Sequence, residues 1–188
     1  MNKKGILIVF SGPSGVGKGT VLKKFINDEN LKLSYSVSMT TRPKRNGEIE
    51  GINYFYVSKD EFKKAIDEQK LLEYAYFVGN YYGTPIDNVN RLLNEGKNVL
   101  LEIEVQGALQ VMEKVKDALT IFIVPPSMEE LEKRIRGRNT ETEEVIKERL
   151  DKAKLEMTML NKYKYVVCND DPEKAALTIS NIIKRSME

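Results

Sequence analysis

Histidine is absent from the 188 residues. That excludes Ser-His and Cys-His nucleophile pairs and every histidine-ligated metal centre. Any metal the chain uses must be held by oxygen, which points to magnesium or calcium. Cys168 is the one cysteine, so no intrachain disulfide can form. This fits a reducing, intracellular setting. Cys168 ends the run Tyr165-Val166-Val167 and is expected as a small buried residue, not a nucleophile. An excess of one charge is also missing. Lys and Arg number 30 against 28 Asp and Glu, leaving +2, too weak a field to argue for nucleic acid or a membrane surface. The apolar run Ile6 to Phe10 is too short for a signal-peptide core or a membrane span, so the expected location is the cytoplasm. Repeats and low-complexity linkers are absent as well.

What remains is a globular composition, 41% hydrophobic and 31% charged, enough for one domain with a real core. Strand-like and helix-like segments alternate. Ile6 to Phe10 reads as a central parallel strand buried on both faces. Asn98 to Ile103, Leu119 to Val124 and Tyr163 to Cys168 read as further strands. Val21, Leu22, Phe25 and Ile26 predict a helix from Thr20 to Asp28. Ile146, Leu150, Ala153, Met157 and Leu160 form a second helical stripe, and Ala176, Ile179 and Ile183 a third; these stripes are read as core. Ser58 with Glu61 and Ser127 with Glu130 match capping boxes. Thr84-Pro85 and Asp171-Pro172 place a capping residue before a first-turn proline. The pattern predicts an α/β fold: a mostly parallel central sheet between two helix layers. Residues from about 33 to 82 break the rhythm and read as a small insert. The core is expected in 1–32, 83–125 and 160–188, with 126–159 standing apart, all within one domain over 1–188.

Gly12-Pro13-Ser14-Gly15-Val16-Gly17-Lys18-Gly19-Thr20 lies between the first strand and the first helix, the context required of a P-loop. Its glycines let backbone N–H groups surround phosphate oxygens at a helix N-terminus. Lys18 would reach the outer phosphates as a point charge. A chance glycine-rich turn is the weaker explanation, given that placement. Gly19 stands where a magnesium-binding Ser or Thr usually follows the lysine, and Thr20 comes one later. A magnesium ion is therefore expected to be held through phosphates and water, with no dedicated protein site.

Downstream, Ser36-Val37-Ser38-Met39-Thr40-Thr41-Arg42-Pro43-Lys44-Arg45 precedes Gly47-Glu48 and Gly51-Ile52-Asn53-Tyr54. Two arginines three apart can fork around a phosphate monoester. A solvated basic loop is the competing explanation. The run resembles the GMP-binding signature of the guanylate kinase family, departing from it in having Tyr56 where phenylalanine is usual. The resemblance continues in order through Leu72-Glu73-Tyr74-Ala75, Gly79 to Thr84, Leu101 to Gly107, Arg134 to Thr142 and Asn169-Asp170-Asp171, covering essentially the whole chain.

The resemblance implies a P-loop NTPase-type fold with a GMP-binding insert and a lid, and ATP:GMP phosphoryl transfer. It implies that Arg42, Arg45, Tyr54 and Tyr82 bind the GMP phosphate, and that Ser38, Glu73 and Thr84 read guanine. Glu73 has a physical reason: an ionised carboxylate accepts from the adjacent N1–H and 2-amino donors of guanine, a pair that adenine lacks. Thr84 is also the expected helix cap. By the same resemblance Glu104 lies near the ribose, Glu102 near magnesium, and Arg134, Arg138 and Arg149 over ATP. Asn169 would touch adenine. Surface pairing with Glu130 and Glu148 is the competing account of Arg134 and Arg149. The implied ligands are ATP, GMP and magnesium, with dGMP left open as an acceptor and no nucleic acid, membrane or obligatory protein partner. Two rivals stand beside this reading: a P-loop kinase for another phosphorylated acceptor, and a guanylate-kinase-like interaction module without catalysis.

Overall fold

Every residue of the first strand, β1 (Leu7–Ser11), is buried, because successive side chains point to opposite faces and both faces are covered. The computed structural model describes residues 3–77, 79–137 and 142–188. The remaining strands are β2 (Leu33–Tyr35), β3 (Ser38–Thr40), β4 (Tyr54–Tyr56), β5 (Leu71–Phe77), β6 (Asn80–Pro85), β7 (Asn98–Glu102), β8 (Leu119–Val124) and β9 (Tyr165–Cys168). The helices are α1 (Lys18–Leu22), α2 (Lys59–Asp67), α3 (Ile86–Asn94), α4 (Val105–Lys114), α5 (Met128–Arg136), α6 (Glu143–Met157) and α7 (Pro172–Ser186).

A large sheet runs in the order β2-β7-β1-β8-β9 and is parallel throughout. Ile8, Phe10, Ile121 and Ile123 pack on one face with Val21, Leu131, Ile135, Ile146, Ile179 and Ile183 from α1, α5, α6 and α7. Leu7, Val9, Leu101 and Phe122 pack on the other with Val89, Leu92, Val105 and Val111 from α3 and α4. This is the three-layer α/β architecture expected of alternating elements. The parallel strands end together at one edge, where open α/β sheets place their ligand crevice.

A second sheet, in the order β4-β3-β6-β5, stands beside that edge. β3 and β4 are parallel, while β6 is antiparallel to both β3 and β5. Its own core is small: Phe62, Ala65 and Leu71, with Tyr81 stacked on Phe62 at 5.3 Å between ring centroids.

Local expectations fare unevenly. Ser58 and Glu61 form the reciprocal capping box, and Asp171 accepts from the amides of Glu173 and Lys174. Ser127 accepts from the Glu130 amide. Thr84 is not a cap. β6 continues through Pro85, which precedes α3 without a side-chain cap. α1 stops at Leu22, short of the expected Asp28; beyond it Lys24, Phe25 and Asp28 bond back three residues while Ile26 bonds back four, a mixed winding that departs from a regular α-helix. Phe25 nevertheless remains buried against Phe10. Cys168 is exposed, not buried: β9 is an edge strand with three of its four residues exposed. The expected start of the insert, about residue 33, falls on β2, which pairs with β7 in the large sheet.

Candidate active site

The loop after β1 folds back over its own lysine. Lys18 Nζ donates to the carbonyls of Gly12 at 2.6 Å and Pro13 at 3.2 Å. Burial lowers its pKa, while Glu102, Glu156 and Glu104 act to raise it. Gly17 enters α1 at φ 94°, in the left-handed region, and a Cβ there would stand 2.8 Å from Asn169 Nδ2. Glycine meets both constraints at once. Ser14, Gly15, Gly17, Lys18, Gly19 and Thr20 line a cleft of about 340 Å³ together with Lys23, Glu102 and Arg149. Val16 points the other way, into the core.

The loop is braced from two other elements. Asn169, buried after β9, donates from Nδ2 to the Val16 carbonyl at 2.7 Å. Arg134 on α5 donates to the carbonyls of Val16 at 3.3 Å and Asn169 at 3.0 Å. Its expected alternative partner, Glu130, pairs with Lys133 instead. Arg149 on α6 donates to Ser14 Oγ at 2.8 Å. Arg138, expected to share a helix face with Arg134, lies outside the described residues, and α5 ends at Arg136.

The basic loop between β3 and β4 meets the small sheet. The Arg42 guanidinium lies over Tyr54 and Tyr56, 5.4 and 5.9 Å from the ring centroids, a favourable cation–π placement. Tyr54 also packs edge-on against Tyr82 at 6.0 Å. Arg42, Tyr54 and Tyr82 thus come together on adjoining strands and loop. Arg45 lies on the same loop and is exposed.

Glu73 on β5 is 6% exposed. Thr84 Oγ1 donates to its Oε1 at 2.6 Å, so the hydroxyl expected to cap a helix instead fixes this carboxylate. Burial raises the carboxyl pKa, opposed by the Thr84 bond and by Lys114. A Cβ on Gly107 would approach Glu73 Oε2 to 2.6 Å; glycine there leaves the oxygen its room. Glu73, Ser38, Tyr54, Tyr82, Glu102 and Glu104 share a cleft of about 370 Å³. Thr84, Ser38 and Tyr54 border a smaller adjoining cavity.

Glu102, at the end of β7, lines the loop cleft and the Glu73 cleft alike. Two compartments therefore meet at one carboxylate. Tyr35 at the end of β2 donates to Glu102 Oε2 at 2.8 Å. Lys152 donates to Glu104 Oε2 at 2.8 Å and so ties α6 to the second cleft. Glu156, also on α6, is 8% exposed, and its Oε2 has no hydrogen-bond partner. Burial raises its pKa, aided by Glu104, while Lys152, Lys18 and the Ser14 amide oppose that. Sequence reasoning missed Tyr35, Lys152 and Glu156. The α6 pair had a signal: Arg149, Lys152 and Glu156 follow at i, i+3 and i+7 and so share one face.

A phosphate cradle at the head of a parallel three-layer sheet defines a P-loop nucleotide-binding protein. The sequence profile of guanylate kinases matches residues 4–186, and the chain belongs to the guanylate kinase family. It is 55% identical over 185 residues to a guanylate kinase of Mesoplasma florum, covering 98% of this chain and 62% of that protein. It is 52% identical over 184 residues to a guanylate kinase of Streptococcus agalactiae serotype III, covering 98% and 88%. The crystal structure of guanylate kinase from Anaplasma phagocytophilum aligns with a TM-score of 0.73 at 35% identity, covering 99% of this chain and 88% of that one. The SH3-kinase fragment of tight junction protein 3 shares the fold alone, with a TM-score of 0.52 at 10% identity over 98% of this chain and 58% of that one.

Proposed function

We propose that this chain transfers a phosphoryl group from ATP to GMP, giving ADP and GDP. The observation that carries this is the meeting of two unlike clefts at Glu102. One has a lysine in a backbone cradle suited to a triphosphate. The other has a buried carboxylate suited to guanine. Most of the expected insert, the small sheet β3 to β6 with α2, is the acceptor side in this account, and 126–159 is the lid region. The protein is cytoplasmic in this account; among the described residues no helix is long and apolar enough to cross a membrane.

An acceptor phosphate is largely ionised near neutrality, since its second pKa is about 6. Attack therefore needs no strong base, in keeping with a chain without histidine. The obstacle is repulsion between two anions. Arg42, Arg45, Tyr54 and Tyr82 hold the acceptor phosphate; Ser38, Glu73 and Thr84 hold guanine; Glu104 faces the ribose. Lys18, Arg134 and Arg149 neutralise the transferring group, and Arg138 joins them by family resemblance. Asn169 and the amides of 12–20 shape the donor seat. An acceptor oxygen attacks the γ-phosphorus in line, and the bond to the β–γ bridging oxygen breaks. Among the described residues no three acidic or sulfur side chains gather to hold a metal. The Thr20 hydroxyl and Glu102 carboxylate line the donor cleft, oxygen donors suited to a magnesium ion carried in by ATP. When bound, that ion neutralises phosphate charge.

A coupled ADP-release assay with ATP against GMP, AMP, CMP and UMP tests the assignment. Magnesium-dependent turnover with GMP far above the others is expected. Equal rates with all four would reject the acceptor, and no turnover with any would favour a non-catalytic interaction module.

A further inference from the structure

Glu48 sits on the basic loop, between the arginines and β4. Its carboxylate holds three groups. Oε1 accepts from Arg42 Nη2 at 2.6 Å. Oε2 accepts from the Arg45 backbone amide at 2.8 Å and from the Tyr56 hydroxyl at 2.7 Å. The residue that departs from the family's usual phenylalanine thus uses its extra oxygen here. Glu48 and Arg42 are 19% and 12% exposed in their side chains, although Pro43, Lys44 and Arg45 between them are exposed. The Pro43 carbonyl takes a second Arg42 bond at 2.8 Å. Arg42 is held on several sides with donors to spare, for a guanidinium carries five N–H groups.

The two arginines are therefore unequal. Arg42 is already paired with a carboxylate. Arg45 is exposed, and among the described residues it makes no ion pair with a carboxylate. We propose that Glu48 is a positioning residue of the phosphate clamp: it fixes Arg42 as the orienting arm and leaves Arg45 to supply the uncompensated charge. The proposal rests on the assignment of GMP to this cleft. Arg42 holds the Glu48 carboxyl at about 2, with the Arg45 amide and the Tyr56 hydroxyl adding to the effect, so Glu48 stays ionised across the working range.

Charge and positioning make opposite demands of Glu48. A carboxylate beside the acceptor dianion repels it, so on charge alone Glu48→Gln would tighten GMP. On positioning it would weaken GMP. One amide oxygen cannot serve the guanidinium, the amide and the hydroxyl as two carboxylate oxygens do, and the NH₂ faces donors.

Steady-state kinetics of wild type, Glu48→Gln and Glu48→Asp would be measured with thermal midpoints, and guanosine binding by titration calorimetry. For Glu48→Gln the GMP KM is expected to rise about tenfold or more, roughly the effect of losing one charge-assisted hydrogen bond. The ATP KM, the guanosine affinity and the midpoint should hold. Glu48→Asp keeps the charge but is one methylene too short, and should also raise the GMP KM. A GMP KM that falls or stays level in Glu48→Gln overturns the proposal. So does a parallel change in both nucleotide KM values and the midpoint, which would mark a merely structural role. If Glu48→Gln does not fold, Glu48→Asp decides by the same criteria. Failure of the underlying acceptor assignment would show separately, as wild type lacking preference for GMP.

Discussion

Under the proposed assignment, the donor and acceptor clefts prepare for phosphate in different ways. On the donor side the grip is backbone: glycines, a helix start and one lysine, braced by Asn169 and Arg134 through carbonyls. On the acceptor side the proposed grip is side chain: Arg42, Tyr54 and Tyr82, drawn from a loop and strands over a small core. A backbone cradle is fixed by the fold, and its contribution is concentrated in the single flexible cation it contains. A side-chain clamp needs carboxylates and hydroxyls to hold its cations in place, so its contribution is spread. If so, one substitution should disable the donor side and only weaken the acceptor side.

The largest effect is therefore expected at Lys18. In Lys18→Ala, kcat should fall by about two to three orders of magnitude, the cost of losing one preorganised charge at a transferring group. Lys18 lines the cleft and, among the described residues, its hydrogen bonds go to its own loop, so the thermal midpoint should hold. Turnover within a few-fold of wild type would mean that the backbone cradle suffices, and the contrast between the clefts would collapse.

Glu73 should show a smaller and selective loss. In Glu73→Gln one acceptor oxygen remains and an NH₂ faces a guanine donor. Charge-assisted bonds of about 1.5–3 kcal/mol each are lost, roughly ten- to a hundredfold or more in GMP affinity. Binding of ATP should not change. The acidity of Glu73 gives a second handle. Burial raises its pKa, and the proposed contact with guanine needs it ionised. As pH falls, proton uptake by Glu73 should begin above the usual carboxylate range and weaken binding there. Guanosine, which lacks the phosphate that titrates near 6, isolates this effect. A guanosine affinity flat from neutrality down to ordinary carboxylate pKa values, or an unchanged GMP constant in Glu73→Gln, would mean guanine is read elsewhere.

The same contrast explains what was legible in the sequence. Gly12 to Thr20 announces itself because backbone geometry constrains residue type at fixed spacing. The buried strands were legible because burial on both faces leaves a continuous apolar run. Side-chain bracing leaves no such local trace. Thr84 looked like a cap because it precedes a proline, but Glu73, eleven residues earlier, claims its hydroxyl across β5 and β6. Cys168 looked buried because it follows two valines; only the strand order shows that β9 has a neighbour on one side. Tyr35 could not be assigned to Glu102, 67 residues away, until β2 was known to pair with β7.

Tyr35 also supplies the smallest and most pointed test, because it acts where the two clefts meet. Its hydroxyl donates to Glu102 Oε2 at 2.8 Å, and Glu102 lines both compartments. Tyr35→Phe keeps the ring on β2 and removes that single bond, leaving the carboxylate free to turn. Tyr35 is 47% exposed, so water replaces part of what is lost. A net hydrogen bond of about 0.5–1 kcal/mol corresponds to roughly a two- to fivefold fall in kcat. If Glu102 must hold one orientation during transfer, the loss should fall on kcat, with both nucleotide KM values unchanged. If Glu102 serves only as a diffuse negative charge, its rotamer is immaterial and the variant should match wild type. Burial, and after it the neighbouring Glu102 charge, push the Tyr35 pKa upward. The phenol therefore remains protonated through neutral and mildly alkaline pH, and the bond persists across that range. The ratio of wild-type to Tyr35→Phe kcat should accordingly be constant between about pH 6 and 9, well below the ordinary tyrosine value near 10. A ratio that drifts with pH there would mean that Tyr35 reports on some other titrating group, and that Glu102 is not held as the geometry indicates. A double-mutant cycle with Glu102→Ala completes the test: once the acceptor oxygens are gone, removing the hydroxyl should cost little more.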